Sequence, residues 1–317
     1  MRMNNVVITG ATSMIGAALV RECLAAGAEV LAVIQKNSVR KERLPVHEKL
    51  RIVECSLEEL RELPARTASI YSATAAQPVF DTFYHIAWGG TGANRDKSTE
   101  LQSRNIFYTL EAVKAAKTLG CTRFIGAGSQ AEYGPKDLDK IGPDTPTEPV
   151  TPYGISKLAA GKLSRLLCQE LSMEWIWPRI FSVYGIYEKE NTMISTALHA
   201  FRRGEPTAFT PAEQIWDYLY SKDAGKAYYL IGEKGRAGSV YCVGSGQGRP
   251  LRHYIEEMAE LAGSGKNVPG IGKRPYPPGK RTNLCADIRT LTEDTGFVPE
   301  YSFEKGILET LSWMEEQ

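Results

Sequence analysis

The chain has 317 residues, of which 43% are hydrophobic and 24% are charged. This balance is typical of an ordinary globular protein and excludes the disordered, fibrous and membrane-spanning classes. The 38 Lys and Arg residues nearly cancel the 37 Asp and Glu residues, leaving a formal net charge of +1, so no overall field attracts nucleic acid or an anionic membrane. A small molecule is the expected partner.

Cysteine and histidine spacing argues against disulfides and against a metal site. The six cysteines form no CxxC pair, and the four histidines show no metal-ligand spacing. An apolar strand pattern begins after only five residues, and no run of about 18 apolar residues follows, so neither an export signal nor a transmembrane helix is predicted. The expectation is a reduced, cytoplasmic protein without a metal.

The first part of the chain alternates strand and helix patterns. A β-branched run at Val6–Ile8 leads through Gly10 into an apolar periodic stretch from Ile15 to Ala26, which predicts strand, tight turn and helix. Further strands are predicted at 29–34, 50–53, 79–87 and 122–127, and long helices at 100–119 and 153–171. Such alternation predicts an α/β fold built on a Rossmann-type, doubly wound parallel sheet.

Glycine and proline become more frequent after about residue 185, as in Gly204-Glu-Pro206 and Pro275-Tyr-Pro-Pro-Gly279. This punctuation predicts a smaller, loop-rich C-terminal α/β lobe that binds substrate. We place the dinucleotide-binding domain at residues 1–180 and the lobe at 181–317, with the chain crossing back to the first domain around 215–250.

A glycine-spaced turn joins the first predicted strand to the first helix. Gly10 can take the tight turn, and Gly16 lets helix and strand pack closely while the helix N-terminus directs free N–H groups at a pyrophosphate. Ser13 stands where a glycine is usual, and its side chain is expected to narrow or tilt the approach to the phosphates. We predict dinucleotide contacts at Gly10, Thr12, Ser13, Met14, Ile15 and Gly16.

The end of the second strand bears on the choice of dinucleotide. An acidic residue there would bind the ribose 2′-hydroxyl of NAD, but residues 35–41 contain no carboxylate. Cations and hydrogen-bond donors, with contacts expected at Gln35, Lys36, Asn37 and Arg40, favour the 2′-phosphate of NADP. NAD is the alternative, because the same residues suit a solvated basic surface loop.

Two helical side chains and one strand-end hydroxyl form the candidate catalytic group. Tyr153 and Lys157 are four residues apart and share one face of the helix that begins at Pro152. A nearby cation favours the phenolate and lowers a tyrosine pKa, which makes the phenol a usable acid/base. Ser129 is expected at the carboxyl end of a parallel strand, where α/β sheets place their ligands.

At these residues the sequence resembles the extended short-chain dehydrogenase/reductases, the family of nucleotide-sugar epimerases, dehydratases and reductases. The likeness covers nearly the whole chain and includes the 10–16 loop, His85-Ile86-Ala87, Asn105, Tyr133-Gly134, Arg179–Gly185, Trp216–Asp223 and Val240–Gly246. It implies that Tyr153 is the general acid/base, that Lys157 holds the nicotinamide ribose and tunes Tyr153, and that Ser129 hydrogen-bonds the reacting substrate oxygen.

The resemblance also implies the remaining contacts. Further cofactor contacts are expected at Ser56, Leu57, Ala87, Trp88, Asn105, Ile180 and Val183. Substrate contacts are expected in the nucleotide-sugar-binding lobe and around the catalytic group, at Gly90, Gln130, Ser182, Asn191, Met193, Trp216 and Arg281. Ser56 and Trp216 replace an Asp and an Arg that are common in the family, and Arg274, Lys280 or Arg281 is expected to supply the diphosphate's cation unless that loop is simply solvated.

Departures from the family pattern reduce the number of candidate reactions. The 4,6-dehydratases carry an Asp-Glu pair after the Ser/Thr, whereas this chain has Gln130-Ala131. The 3,5-epimerase/reductases that make GDP-fucose use a Cys there and a His after the later Tyr-Gly, whereas this chain has Ala131 and Ile186-Tyr187. Simple hydride exchange at C4 of the sugar remains.

The leading interpretation is an NADP(H)-dependent 4-ketosugar reductase. The basic end of the second strand favours it, as does the likeness of 190–194 and 212–217 to CDP-abequose-type 4-ketoreductases. A nucleotide-sugar 4-epimerase with tightly bound NAD is the alternative, and a dinucleotide sensor without turnover is a third. By the resemblance, the helices at 100–119 and 153–171 would pair across a two-fold axis in a homodimer, although a stripe facing the sheet explains their apolar faces as well.

Overall fold

The structure is a computed structural model that describes residues 3–72, 78–91, 95, 97–263, 268–276 and 282–316. Its strands are β1 (Asn5–Thr9), β2 (Glu29–Ile34), β3 (Leu50–Glu54), β4 (Thr82–His85), β5 (Arg123–Ile125), β6 (Gly128–Ser129), β7 (Glu174–Ile180), β8 (Ser182–Tyr184), β9 (Ile215–Trp216), β10 (Tyr218–Tyr220), β11 (Val240–Val243) and β12 (Arg249–Pro250). Its helices are α1 (Met14–Ala25), α2 (Leu63–Tyr71), α3 (Thr99–Thr118), α4 (Pro152–Glu170), α5 (Met193–Arg203), α6 (Ser221–Lys234), α7 (Leu251–Ala262), α8 (Arg289–Thr295) and α9 (Phe303–Glu315).

The main sheet is parallel throughout, in the order β3-β2-β1-β4-β5-β7-β11, with β6 also paired to β7. The strand order reverses at β1, which separates the β2–β3 half from the β4–β11 half. The predicted Rossmann-type fold is confirmed. Such a reversal opens a crevice at the carboxyl ends of the strands, where ligands of this architecture bind.

Alternating strand residues bury the two faces of the sheet in two separate cores. Val6 and Ile8 pack with α1 and α6, whereas Val7 packs with α3 and α4. Helices α1 and α6 approach closely because α6 has a glycine at the contact: a Cβ at Gly225 would lie 2.6 Å from the Ala18 Cβ. The sheet is therefore covered on both sides, as parallel sheets require.

The fifth strand differs from the predicted single run over 122–127. Strand β5 ends at Ile125, and Gly128–Ser129 forms the separate strand β6 beside β7. The cause is Trp177, since a Cβ at Gly126 or Gly128 would lie within 2.1 Å or 2.5 Å of its indole. The two glycines make room for this buried ring, and the bend delivers Ser129 to the carboxyl edge of the sheet.

The C-terminal part of the chain divides between the main sheet and a smaller lobe. Strand β11 and helix α6 join the main sheet and its helix layer. Helices α5, α7 and α9 pack together around a further apolar core, distinct from the two on the faces of the main sheet, that includes Leu198, Met258 and Ile307. Two small pairs of strands, the parallel pair β8–β10 and the antiparallel pair β9–β12, come from the connections between main-sheet elements and lobe helices.

Asp217 ties the lobe together. Its fully buried carboxylate accepts hydrogen bonds from the backbone N–H groups of Ser245 (2.8 Å), Gly246 (3.0 Å) and Ala286 (3.0 Å) and from the Ser245 hydroxyl (2.6 Å). A buried carboxylate needs such donors, because an unsatisfied charge would be costly to desolvate. One side chain therefore holds three chain segments together.

Two remaining features of the fold are its unpaired cysteines and the length and polarity of its helices. All six cysteines are free and buried, and burial raises the pKa of each thiol. None of the helices in the described ranges is long and apolar enough to span a bilayer.

Candidate active site

The predicted cofactor residues follow the carboxyl ends of neighbouring parallel strands. Gly10 follows β1, Gln35 follows β2, Ser56 follows β3, Ala87 follows β4 and Ile180 ends β7. These strands are neighbours or near neighbours in one sheet, so the structure brings the predicted positions to one edge.

The β1–α1 loop has the geometry of a phosphate cradle. Gly10 has a φ of +67°, and a Cβ there would lie 2.7 Å from the Ala87 nitrogen; a Cβ at Gly16 would lie 2.2 Å from the Gly10 oxygen. Only glycine fits at either position. The first turn of α1 presents N–H groups that the helix itself cannot satisfy, and Ser13 Oγ takes the one from Gly16 at 3.0 Å.

Ser13 thus has a local role that its position in the motif concealed. Its φ of −73° is ordinary for an L-residue, so no glycine is required, and its side chain caps the helix. The Ser13 side chain caps the helix by accepting from the Gly16 nitrogen. The N–H groups of Met14 and Ile15 at the helix start therefore remain available to an anion.

The end of β2 is basic and largely exposed. The side chains of Gln35, Lys36, Asn37 and Arg40 are all exposed, and Asn37 takes a left-handed φ of +55°. Sequence reasoning missed Arg43, whose Nη1 donates to the Thr12 oxygen of the glycine loop at 3.2 Å and whose guanidinium lies 4.7 Å from the Tyr187 ring centroid. A cation in contact with the glycine loop therefore comes from the turn after the predicted contacts.

The loop after β4 is fixed by the side-chain amide of Asn105 in α3. Asn105 accepts from the Gly89 nitrogen at 2.7 Å and donates to the Gly89 oxygen at 3.0 Å, while its second N–H reaches the Leu101 oxygen at 3.1 Å. Both donors of Asn105 are therefore used by the protein. A direct cofactor contact would be restricted to its Oδ1, so we expect Asn105 to act on a cofactor mainly by shaping this loop.

The three predicted catalytic residues converge where α4 begins. Lys157 is buried, and its Nζ donates to the Ala127 oxygen, two residues before Ser129, at 2.6 Å. The start of α4 packs against the turn after Ser129 so tightly that a Cβ at Gly154 would lie 2.3 Å from the Ala131 oxygen. Tyr153 and Ser129 are both largely buried, with 9% and 7% of their surface exposed.

The electrostatics of this centre follow from burial. Loss of solvation lowers the pKa of Lys157 to about 7, opposed by the Glu132 carboxylate. Burial, with the Lys157 charge, lowers the pKa of His85 to about 3, so this ring is neutral at physiological pH and its Nδ1 lies 2.9 Å from Thr9 Oγ1. Lys157 is thus poised to gain or lose a proton near neutral pH.

Glu132 lies close behind Ser129 but is committed to structure. Its carboxylate is fully buried and pairs with Arg179 Nε at 2.8 Å, and it also accepts from Trp177 Nε1 at 3.0 Å and from the Ser129 nitrogen at 2.8 Å. With these partners it positions Ser129. The S-x-x-E spacing of Ser129 and Glu132 is the local signal of a capping box and could have found this bond, whereas the ion-pair partner Arg179 is 47 residues away.

The predicted substrate residues are distributed around this centre. Ser182 Oγ accepts from Trp216 Nε1 at 2.9 Å, so the two predicted contacts from β8 and β9 are joined. Gly90 is held through its oxygen by Gln102, Gln130 lies in the turn after Ser129, Met193 begins α5, and Asn191 is exposed in the loop before it. Arg281 and Lys280 lie outside the described residues.

Three cations near this centre were not predicted. The Arg95 guanidinium lies 5.0 Å from the Tyr153 ring centroid, and Lys189 Nζ donates to the Thr91 oxygen and hydroxyl, both at 2.7 Å. Burial, together with the charges of Arg40 and Arg95, lowers the pKa of Lys189. Arg249 is the cross-strand partner of Trp216, although its guanidinium pairs with Glu257 and covers the Tyr254 ring. Anions entering here would meet a positive field.

Comparison with known proteins agrees with this geometry. The profile of the NAD dependent epimerase/dehydratase family matches residues 6–244. The chain is 22% identical to a UDP-glucose 4-epimerase of Corynebacterium glutamicum over 96% of this chain and 93% of that protein. It is 23% identical to a dTDP-glucose 4,6-dehydratase of Haemophilus influenzae over 98% of each chain. A solved UDP-N-acetylglucosamine 4-epimerase from Methanobrevibacter ruminantium shares the fold, with a TM-score of 0.84 at 24% identity over 100% of both chains.

Proposed function

Because the chain belongs to the NAD-dependent epimerase/dehydratase family, as its motifs predicted, we propose that it exchanges a hydride at C4 of a nucleoside-diphosphate sugar. Its premise is that enzymes of this family use a nicotinamide cofactor and act on nucleotide sugars. The observation that carries the proposal is the convergence of Ser129, Tyr153 and Lys157 without a second acid/base pair beside them: Gln130 and Ala131 follow Ser129, and Glu132 is sealed in its ion pair with Arg179.

Ser129, Tyr153 and Lys157 have different roles in hydrogen bonding and proton transfer at one sugar oxygen. Ser129 can donate a hydrogen bond to that oxygen, and Tyr153 can give or take its proton. Lys157 favours the phenolate by its charge and is available to a ribose hydroxyl. The nicotinamide, held by the β1–α1 loop and the strand ends, supplies the hydride chemistry.

Two forms of this reaction remain, and each has its own support. Relatives named 4-epimerases and 4,6-dehydratases both match nearly the whole chain, and Gln130-Ala131 disfavours the dehydratase reaction, which supports a 4-epimerase that keeps NAD bound and reuses it. The end of β2 has no carboxylate for a ribose 2′-hydroxyl and has Lys36, Arg40 and Arg43 instead, which favours a reductase that binds and releases NADPH.

One experiment separates the two forms. The purified protein is denatured and any released dinucleotide is identified, and the intact protein is incubated with UDP- and dTDP-linked hexoses and with their 4-keto derivatives. Released NAD together with interconversion of 4-hydroxy epimers identifies the epimerase. An empty protein that oxidises NADPH only with a 4-keto sugar identifies the reductase. Release of water from C6, or absence of turnover on the whole panel, would contradict hydride exchange at C4.

We expect tighter binding of NADPH than of NADH, and we expect the combined Lys36→Ala and Arg40→Ala substitutions to remove the difference. A 2′-phosphate brings about two negative charges to this loop, and each charge-assisted hydrogen bond contributes roughly 1.5–3 kcal/mol when well formed. Nicotinamide fluorescence titration measures both affinities.

The matched control for that pair is Lys49→Ala with Arg51→Ala, which removes two exposed or partly exposed cations at the start of β3, the opposite edge of the sheet. Equal losses for NADPH and NADH in the Lys36/Arg40 variant would contradict a 2′-phosphate contact. If NADPH still binds more tightly in that variant, Arg43→Ala tests whether the cation beside Thr12 is responsible.

A further inference from the structure

We propose that Trp88 is a positioning residue for proton transfer: its indole face holds the Lys157 ammonium and thereby favours the ionised form of Tyr153. The proposal deepens the proposed function and rests on it for the meaning of Tyr153 as acid/base. The sequence predicts Trp88 only as a cofactor contact, and its contact with Lys157 goes beyond that.

The contacts join all three side chains. Lys157 Nζ lies 3.7 Å from the centroid of the Trp88 ring, within the distance of a strong cation–π contact. The same indole meets the Tyr153 ring edge-on, with centroids 6.1 Å apart and an interplanar angle of 86°. From Lys157 to the Tyr153 centroid the distance is 5.8 Å. Trp88 is therefore packed against both members of the catalytic pair.

The indole cannot easily leave this position, because its polar end is anchored. Trp88 Nε1 donates to Gln102 Oε1 at 2.8 Å, and Gln102 Nε2 donates to the Gly90 oxygen at 2.8 Å. Gln102 is fully buried in α3, and Asn105, one turn later, fixes Gly89. The ring is held by a helix that belongs to the core of the sheet, so its face toward Lys157 is preorganised.

Among the described residues, the charged or ionisable groups that face Lys157 and Tyr153 do little to compensate the Lys157 charge. The Glu132 carboxylate faces it from the turn after β6 but is shared with Arg179, and the neutral His85 faces it from β4. Arg95 adds a positive charge over Tyr153, and the neutral phenol of Tyr228 faces Tyr153 from α6. The Ala127 oxygen and the Trp88 π-face are thus the close, electron-rich partners of the ammonium.

This arrangement predicts the direction of a substitution. Leucine at position 88 keeps an apolar side chain over Lys157 but lacks the negative face of an aromatic ring, so the ammonium is disfavoured while its desolvation remains. Loss of that charge makes the Tyr153 phenolate less favourable. Phenylalanine keeps an aromatic ring that attracts the ammonium less strongly than an indole does, so we expect the effect of Trp88→Phe to lie between those of the wild type and Trp88→Leu.

The test is a tyrosinate titration of the cofactor-free protein. Absorbance near 295 nm is followed against pH for the wild type, Trp88→Phe and Trp88→Leu, each minus the same protein carrying Tyr153→Phe, so that the difference reports Tyr153 alone. We expect the midpoint to rise in the order Trp, Phe, Leu, by about one pH unit in total, which corresponds to a desolvated cation–π contact. An unchanged midpoint, or one that falls in Trp88→Leu, would overturn the proposal.

Turnover gives a second, separate readout. If the proposed reaction is correct, the acidic limb of the kcat profile moves to higher pH in the same order, with a smaller change in KM. Because the titration needs no substrate, it tests the role of Trp88 even if C4 exchange fails in the substrate panel. Trp88→Phe retains most of the packed volume, so a folding failure of Trp88→Leu still leaves a variant whose midpoint decides the question.

Discussion

Lys157 places a charge in the interior at the point where the sheet meets α4, and its pKa of about 7 has a consequence for stability. Below pH 7 it is protonated both in the folded chain and in the unfolded chain, and burying that charge destabilises the folded state. Between about 7 and 10.5 the unfolded chain binds more protons than the folded one, so this penalty disappears as the pH rises.

We therefore expect Lys157→Met to stabilise the cofactor-free protein more at pH 6.5 than at pH 9.5. The difference between the two proteins in free energy of unfolding should shrink by about 3 kcal/mol across this interval. Urea unfolding at the two pH values measures it. A difference that stays constant with pH would show that Lys157 titrates normally in the fold.

For Tyr153→Phe we expect turnover to fall by roughly 10²–10⁴-fold, because only the transferable proton and its hydrogen bond are lost. Cofactor affinity should stay close to that of the wild type, since the ring and its edge contact with Trp88 can persist. Single-turnover assays together with cofactor titration separate the two effects. Wild-type turnover in this variant would remove Tyr153 from the chemistry.

Single residues also show where prediction from the sequence ended. Ser129, Tyr153 and Lys157 could be found because a strand end and a helix face place them within short, regular spacings. Arg43 could not, because its contact with Thr12 joins residues that are distant in the chain and near only after folding. The bond from Glu132 to Ser129 could have been found from the capping-box spacing, but the ion pair of Glu132 with Arg179 could not. Asn105 was predicted from its motif as a cofactor contact, and its bonds to Gly89 indicate that it would act through the loop after β4.

At the scale of elements, the β1–α1 loop depends on a close approach between Gly10 and Ala87. We expect Gly10→Ala to weaken cofactor binding at least tenfold and to destabilise the fold by about 1–3 kcal/mol, since the new Cβ adds a clash to the cost of a positive φ. Fluorescence titration and urea unfolding measure the two effects.

Gly204→Ala is the matched control, because Gly204 has nearly the same φ, +65° against +67°, with nothing within 4 Å of its Cβ position. It should bear the backbone cost alone and keep full cofactor affinity. Equal behaviour of the two variants would mean that the contact with Ala87 does not shape the loop.

Elements of the first part of the chain were predicted well because their patterns are local. Strand β2 lies at the predicted residues 29–34, and α3 and α4 begin and end within about one residue of prediction. The division of the fifth strand was missed because it depends on Trp177, on a strand that follows later. The helices after residue 185 were missed because frequent glycine and proline hid their periodicity.

At the scale of the whole molecule, the sheet is completed from the C-terminal part of the chain. We expect a fragment of residues 1–181 to be unfolded or aggregated, because it would expose the edge of β7 that pairs with β11 and the surface of α1 that α6 covers. Circular dichroism and size-exclusion chromatography measure this. A monomeric, cooperatively unfolding fragment would support an independent domain ending near 180.

The homodimer stays a prediction. Helices α3 and α4, which pack on each other, leave apolar side chains outside, with half or more of Phe107, Ile155 and Leu166 exposed. Such a surface suits a second copy of the chain, and it also occurs on monomers.

The carboxylate of Asp217 can be fully hydrogen-bonded only late in synthesis, because its donors come after it in the chain. Its donors lie 28, 29 and 69 residues further along, so a ribosome must add the segment around Ala286 before the last of them can arrive. Until then the Asp217 carboxylate lacks the donor from Ala286, so its burial between β9 and β10 is unfavourable. A nascent chain that ends before Ala286 would therefore lack one of the donors that the buried Asp217 carboxylate needs, although the glycine loop of residues 10–16 has already been synthesised.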